Sequence, residues 1–229
     1  MIAAVTFEAD GTLWDFERVM REALALALDE PRVQVPDRAA DLTVPRLAAI
    51  RDQVAAEPPM QGALLDQIRL AAFERTLELI GCPDPDLAGQ ITAVYRRHRF
   101  EGIRLYDDVL PALDTLAALT PRPVLGLVSN GNTDPERCGL PGRFQFALFA
   151  HHHGVKKPDR RFFEVAIREA GCEASQIVHV GDSLVSDVAG AQAAGIRAVW
   201  LNRDRLSNTS GIEPDIEIVS LSELPALCR

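Results

Sequence analysis

The chain has 229 residues, of which 47% are hydrophobic and 25% charged, and its formal net charge is −9. This length supports one sizeable domain with an insertion or two small ones, and the composition is typical of a folded globular protein. The excess of acids argues against a nucleic-acid partner, and no apolar run approaches the roughly 20 residues of a membrane span, so we expect no membrane partner.

Two further features bear on the compartment. The apolar run at residues 1–7 lacks basic residues and is too short for a signal peptide, so we interpret it as a buried strand. The four cysteines (Cys82, Cys138, Cys172 and Cys228) lie far apart in the sequence and form no CxxC motif. Both features are typical of a cytoplasmic protein with reduced thiols.

Six short apolar runs predict β-strands. In chain order they are AAVTF (3–7), PVLGLVS (123–129), FALFA (146–150), QIVHVG (176–181), IRAVWL (196–201) and DIEIVS (215–220). Helical patterns such as PDRRFFEVAIREAG lie between the later strands, with apolar residues at i, i+3 and i+4. This alternation predicts an α/β fold in which a parallel sheet is sandwiched by helices.

Residues from about 15 to 100 contain helical patterns without a convincing strand. These patterns are FERVMREALALALDE, VPRLAAIRDQVAAE, QGALLDQIRLAAFERTLELIG and PDLAGQITAVYRRHRF, and Pro-bearing pieces such as DEPRVQVPD separate them. We therefore predict a helical block inserted after the first strand.

Ligands of parallel sheets bind at the carboxyl ends of the strands, so the polar residues there are candidate site residues. Glu8 and Asp10 follow the first strand and precede a bend at Gly11-Thr12 that lets both converge on a pocket, although two acids near a bend are also typical of a solvated turn. Ser129 ends the second strand and is followed by Asn130 in a turn. The Ser129 hydroxyl and the backbone amides of this turn can face an oxyanion.

Two later segments add a lysine and two acids. Lys157 precedes a proline in GVKKPD, where ordinary surface charge is the alternative explanation. Asp182 and Asp187 bracket a predicted helix start in HVGDSLVSDVAGAQAAG, and a helix cap formed by Asp182 or Ser183 accounts for only one of the two acids. Together, carboxylates at strand ends suit Mg²⁺, and the serine, the lysine and the loop amides suit phosphoryl oxygens.

The motifs EADGTL, VSN, KKPD and GDSLVSD, in this order, resemble the haloacid dehalogenase-like (HAD) superfamily over essentially the whole chain. The helical block resembles the type I cap of that superfamily, and DVAGAQAAGIRAVWL is similar to the branch related to phosphoglycolate phosphatases. The resemblance implies a Rossmannoid catalytic core at residues 1–14 and 101–229 and a helical cap at residues 15–100. Closure of such a cap would exclude water and select the leaving group.

The resemblance also implies roles for the first motif and the metal site. Glu8 occupies the position of the nucleophile, which is an aspartate in the family. Asp10 would protonate the leaving oxygen and later activate water. Mg²⁺ would be held by Glu8, the backbone carbonyl of Asp10 and Asp182, and Asp187 would support the metal site or Lys157.

The expected substrate is a small phosphorylated metabolite. Ser129, Asn130 and Lys157 would bind its phosphoryl group, and the expected reaction is Mg²⁺-dependent hydrolysis of a phosphomonoester. Asp10 favours this chemistry over dehalogenation, because haloacid dehalogenases proper usually carry an aromatic residue at that position. The extra methylene of Glu8 moves its carboxylate by up to about 1.5 Å, and a misplacement of about 1 Å can cost on the order of 10²-fold in rate, so we expect slow turnover.

Several alternatives remain open at this stage. One is a catalytically impaired HAD-fold protein with a binding or regulatory role, and another is that Glu8 directs water at phosphorus without a covalent intermediate. A third is that Glu8 is a change from aspartate in this chain. A haloacid dehalogenase and a sugar-phosphate mutase are the other enzymatic alternatives. We expect His151, His152 and His153 to have surface or supporting roles, and the sequence does not indicate an oligomeric state.

Overall fold

A computed structural model describes residues 1–60 and 62–228 and divides the chain into two compact units. The first unit comprises Met1–Asp15 and Arg104–Arg229, and the second comprises Phe16–Ile103. The division predicted from the sequence differs from these boundaries by one residue at the first and three residues at the second. The function of the second unit as a cap stays a prediction.

The α-helices occur in both units. In chain order they are α1 (Phe16–Ala27), α2 (Asp29–Gln34), α3 (Pro36–Ala39), α4 (Val44–Ala56), α5 (Leu65–Leu79), α6 (Pro85–Glu101), α7 (Val109–Ala117), α8 (Ala150–His153), α9 (Arg160–Ala170), α10 (Gly190–Ala193) and α11 (Leu224–Leu227). A π-helical segment, Leu184–Ala189, precedes α10. Within the described residues no helix is both long and apolar enough to cross a membrane.

The first unit is built on a six-stranded parallel sheet. Its strands are β1 (Ala4–Phe7), β2 (Val124–Ser129), β3 (Phe146–Phe149), β4 (Ile177–Gly181), β5 (Arg197–Leu201) and β6 (Ile216–Ile218). They are ordered β3-β2-β1-β4-β5-β6, and every neighbouring pair is parallel. The α/β class is confirmed, and each predicted strand is confirmed to within two residues at either end. Every residue of β1 and β4 is buried, as helices on both faces of a parallel sheet require.

The described residues of the second unit form helices joined by short loops and include no β-strand. Its main core joins α1, α5 and α6 through buried side chains that include Leu24, Phe73, Leu77 and Tyr95. Thr43 and Asp84 cap α4 and α6 with side-chain hydrogen bonds to backbone amides, which satisfies donors that a helix start leaves unpaired.

Three segments differ from the sequence-based prediction. The segment DEPRVQVPD, expected to separate helices, instead forms α2 and α3, whose prolines lie in first turns where no intrahelical N–H is needed. Helix α7 was not predicted. Ala150 was assigned to a strand, but it begins α8 together with His151, His152 and His153, and that short helix ends at Gly154 in the left-handed conformation.

Candidate active site

The central strands bring the predicted residues to one edge of the sheet. Strand β1 pairs with β2 on one side and with β4 on the other. Strands β2 and β3 are added on one side of β1 and strands β4, β5 and β6 on the other, so the strand order reverses at β1. Parallel sheets bind ligands at such a switch point, outside the carboxyl ends of the strands. Glu8 follows β1, Ser129 ends β2 and Asp182 follows β4, so three of the predicted residues meet at this point.

The carboxylate of Glu8 is surrounded by hydrogen-bond donors. Its Oε1 accepts from the Ser129 hydroxyl at 2.5 Å, from the Ala9 amide at 2.5 Å and from the Asp10 amide at 3.2 Å. Its Oε2 forms an ion pair with Lys157. We call these four groups the donor cradle: the Ala9 and Asp10 amides, the Ser129 hydroxyl and the Lys157 ammonium. The cradle has the chemistry that the sequence predicts for binding phosphoryl oxygens, but here it holds the protein's own carboxylate.

Lys157 is buried rather than part of a surface charge pattern, with 1% of its area exposed. Its Nζ donates to Glu8, to Asp187 Oδ1 at 2.6 Å and to the Val128 carbonyl at 2.7 Å, so all three ammonium hydrogens have acceptors. Burial alone would lower the pKa of Lys157, but the Asp187 and Glu8 carboxylates outweigh it and raise that pKa. The lysine therefore stays charged. The alternative of an ordinary surface lysine is wrong.

Asp187 is contacted by His179, which in turn contacts Thr6, and the sequence analysis missed both His179 and Thr6. Burial would raise the pKa of Asp187, but Lys157 and His179 hold it well below its usual range. His179 Nε2 lies 3.3 Å from Asp187 Oδ1, and its Nδ1 lies 2.9 Å from the Thr6 hydroxyl. Burial lowers the pKa of His179, so the ring is neutral, with Nε2–H donating to Asp187 and Nδ1 accepting from Thr6. The sequence signal was present, because both residues are polar positions inside apolar strands.

Asp10 is oriented by an indole. Trp14, which is fully buried, donates from Nε1 to Asp10 Oδ1 at 2.7 Å. On the other side, Asp10 lies against Gly131, where any Cβ would collide with the Asp10 carboxylate. The Gly131 amide in turn donates to the Ser129 hydroxyl at 3.0 Å. The second acid is thus fixed beside the donor cradle, which is where a proton donor for a bound ester would have to be.

Asp182 has the electrostatics of a cation ligand. Its Oδ1 accepts from the Thr12 hydroxyl at 3.0 Å, and a Cβ on Gly11 would lie 2.6 Å from its Oδ2. Although the residue is solvent-exposed, the protein around its carboxyl group removes water on one side. This desolvation, followed by the charges of Asp187 and Glu8, raises the pKa of Asp182 to about 7. A cation beside this carboxylate would relieve that repulsion.

The oxygen ligands predicted from the sequence are few, but they are enough for Mg²⁺. Among the described residues, no group of three or more His, Cys, Asp or Glu side chains is placed to hold a metal ion. The predicted ligands, however, are the Glu8 and Asp182 carboxylates together with the backbone carbonyl of Asp10. Because Mg²⁺ usually takes one or two carboxylates and keeps several waters, this smaller set is sufficient for it.

The remaining predicted residues have structural contacts. Asn130 exchanges two hydrogen bonds with the backbone of Lys157, from Nδ2 to the carbonyl at 3.1 Å and from the amide to Oδ1 at 2.9 Å. Ser183, not Asp182, caps the π-helical segment by accepting from the Ser186 amide. The rings of His151 and His152 lie on an exposed surface with centroids 4.0 Å apart.

The fold and the site together define an α/β protein with a carboxylate-centred polar site at the switch point of its sheet. A model of the haloacid dehalogenase-like hydrolases matches residues 2–195, and the chain belongs to that family. It is 30% identical over 235 residues to the 5-amino-6-(5-phospho-D-ribitylamino)uracil phosphatase YigB of Escherichia coli, which covers 99% of this chain and 96% of that protein.

Two other proteins broaden the comparison. A glyceraldehyde 3-phosphate phosphatase of Methanopyrus kandleri is 27% identical over 242 residues, covering 100% of this chain and 98% of that protein. The crystal structure of a 2-haloacid dehalogenase from Pseudomonas syringae pv. Tomato superposes with a TM-score of 0.82 at 36% identity, covering 99% and 98% of the two chains. The similar proteins thus include both phosphatases and a dehalogenase.

Proposed function

We propose that the protein is a Mg²⁺-dependent phosphatase of small phosphomonoesters, and that it turns over slowly because Glu8 occupies its own donor cradle. The observation that carries the proposal is the pairing of this cradle with Asp10, an acid held in place by Trp14. Hydrolysis of an ester needs a proton donor beside the reacting group, and dehalogenation does not. The phosphatases among the similar proteins support the same choice.

The proposed first step begins with displacement of Glu8 from part of the cradle. The Ser129 hydroxyl, the Lys157 ammonium and the amides of the first motif then bind phosphoryl oxygens. A Glu8 oxygen attacks phosphorus, the P–O ester bond breaks, and Asp10 gives its proton to the departing oxygen, which leaves as an alcohol. Lys157 compensates the charge that accumulates between Glu8 and the phosphoryl group.

The second step reverses the role of Asp10. Water attacks phosphorus, Asp10 takes the proton of that water, and the bond between phosphorus and the Glu8 oxygen breaks to give inorganic phosphate. When bound by Glu8, Asp182 and the Asp10 carbonyl, Mg²⁺ would neutralise phosphoryl charge. Asp187 keeps Lys157 in position through their hydrogen bond, and His179 in turn positions Asp187.

A second candidate function is hydrolysis of a 2-haloacid, which the dehalogenase at 36% identity favours. In that reaction Glu8 would attack the carbon that carries the halogen and halide would leave without a proton. The acid at position 10 and its indole partner then have no chemical task, so we rank this function second.

The two functions separate in one experiment. Purified protein is assayed with 4-nitrophenyl phosphate and a panel of phosphorylated metabolites in Mg²⁺, and for chloride release from 2-chloropropionate. The native chain and Glu8→Asp are measured side by side. Mg²⁺-dependent phosphate release by either protein supports the phosphatase. Chloride release without phosphate release supports the dehalogenase, and inactivity of both proteins on every substrate contradicts both enzymatic proposals in favour of a binding protein.

A further inference from the structure

The second unit contains a buried positive charge without a negative partner. Arg69 of α5 is 8% exposed, and its Nη2 donates to the Tyr95 hydroxyl at 3.2 Å. Its guanidinium carbon lies 4.4 Å from the centroid of the Tyr95 ring. Across residues 1–60 and 62–228, no carboxylate forms an ion pair with Arg69. Burying a charge costs free energy unless the charge is paired, so binding of a counter-ion would stabilise this arrangement.

Two more arginines add to the positive charge. Arg99 of α6 is 6% exposed and lies over the rings of Phe16 and Phe100, at 4.9 and 4.7 Å. Arg51 of α4 pairs through Nη2 with Asp52 at 3.1 Å, while its Nε is buried without a hydrogen-bond partner. Burial, together with the charges of Arg51 and Arg99, lowers the pKa of Arg69. Arg51 and Arg69 follow Ile50 and Ile68, which are packed in one core cluster between α4 and α5, so the two arginines lie in the same part of the unit.

Some hydrogen-bond donors of Arg69, Arg51 and Tyr95 are available to a ligand. The Tyr95 hydroxyl accepts from Arg69, and among the described residues it has no acceptor for its own hydrogen. The planar guanidinium group presents paired N–H donors whose spacing matches the two oxygens of a carboxylate or phosphate. The Nε of Arg51 adds a donor of the same kind. Charge and donor geometry together fit an oxyanion better than a halide.

We propose that the second unit holds an oxyanion-binding site formed by Arg69, Arg51 and Tyr95, and that its ligand carries a carboxylate or phosphate group. The site lies wholly within the helical unit and does not depend on the phosphatase proposal. Its ligand is a separate small anion that carries such a group.

Binding is tested on the full chain with inorganic phosphate and with succinate. A chelator is present throughout to remove the cation that the proposed first-unit site would use to hold phosphate, and the comparison with Arg69→Met reports the contribution of the second unit. Calorimetry compares the native chain with Arg69→Met and with Arg75→Met, an exposed arginine on the same helix that already pairs with Glu57 and Glu78. We expect Arg69→Met to weaken binding by about tenfold or more, since charge-assisted hydrogen bonds are lost, and Arg75→Met to leave it unchanged. Equal binding by Arg69→Met, or no binding of either anion by the native chain, overturns the proposal.

Thermal unfolding supplies a second measurement. If the charge of Arg69 is uncompensated, Arg69→Met unfolds at the same or a higher temperature than the native chain in the absence of anion, and added phosphate or succinate stabilises only the native chain. A lower unfolding temperature for Arg69→Met, together with no response of the native chain to either anion, identifies a packing role and overturns the site. Should Arg69→Met fail to fold, the half-exposed Arg51→Met takes its place with the same expected loss of binding.

Discussion

Replacing Glu8 with aspartate removes one methylene from the side chain that occupies the donor cradle. The present carboxylate accepts from Ser129 and Ala9 at 2.5 Å and from Asp10 at 3.2 Å, and it pairs with Lys157. Shortening the side chain withdraws the carboxylate by up to about 1.5 Å and frees these donors for a phosphoryl group. We therefore expect Glu8→Asp to be the faster phosphatase.

The size of the gain follows from two effects. Correcting a misplacement of about 1 Å in the attacking oxygen is worth on the order of 10²-fold in rate, or about 2.7 kcal/mol. Releasing a charge-assisted hydrogen bond that the substrate must otherwise displace is worth about 1.5–3 kcal/mol, and this second effect acts mainly on substrate binding. We expect kcat/KM to rise by about 10²-fold or more, with kcat carrying the positional part.

The assay is release of 4-nitrophenol from 4-nitrophenyl phosphate at saturating Mg²⁺, with kcat and KM determined separately. Glu169→Asp is the matched control, because Glu169 is exposed on α9 and the same shortening there should leave the rate unchanged. Acid quenching followed by mass spectrometry tests whether residue 8 becomes phosphorylated. A native rate equal to or above that of Glu8→Asp would refute the reasoning from side-chain length.

The remaining predictions concern the acid, the cation site and the support of the lysine. Asp10→Asn should lower kcat by about 10²–10⁴-fold on an alkyl phosphate and by less on 4-nitrophenyl phosphate, whose leaving group needs less protonation; equal losses on both substrates would contradict the role of a proton donor. Because the pKa of Asp182 is raised to about 7 from an unfolded value near 3.9, its contribution to the free energy of unfolding is fully present below pH about 4 and is lost as the pH rises through about 7. Mg²⁺ should offset this loss and release protons on binding, which calorimetry in buffers of different ionisation enthalpy detects; Asp182→Asn should abolish the proton release. His179→Phe keeps a ring but removes the hydrogen bonds to Asp187 and Thr6, so it should lower the free energy of unfolding by about 1–3 kcal/mol in urea titrations, and an unchanged midpoint would argue against that support.

The sheet and the positions of the candidate site residues could be predicted from the sequence for a common physical reason. Parallel strands place their carboxyl ends at one edge, so polar residues that directly follow apolar runs are brought together whatever the loops do. Glu8, Ser129 and Asp182 were found this way. Helix α7 is harder to predict because it is short and has Pro111 in its first turn, a residue that usually indicates a break between helices.

What could not be predicted depends on side-chain torsions and on contacts across the sheet. The sequence places an acid at position 8, but whether its carboxylate faces the cradle or the solvent is decided by its side-chain torsions and the donors around it. His179 and Thr6 lie inside strands rather than after them, and they meet because β1 and β4 are paired in register. That register is a property of the folded sheet, so their link to Lys157 became visible only in the structure.

The burial of Lys157 places two separate demands on position 8. An ammonium group with 1% of its area exposed needs negative charge nearby for the chain to fold, and Glu8 supplies part of it. That demand concerns charge and is met by either acid, whereas phosphoryl transfer concerns length and favours the shorter one. A glutamate can therefore replace an aspartate here with little loss of folding, while an uncharged residue cannot. Under the proposed function, position 8 would lose catalytic rate by mutation while the fold is retained, and one further substitution would restore the rate.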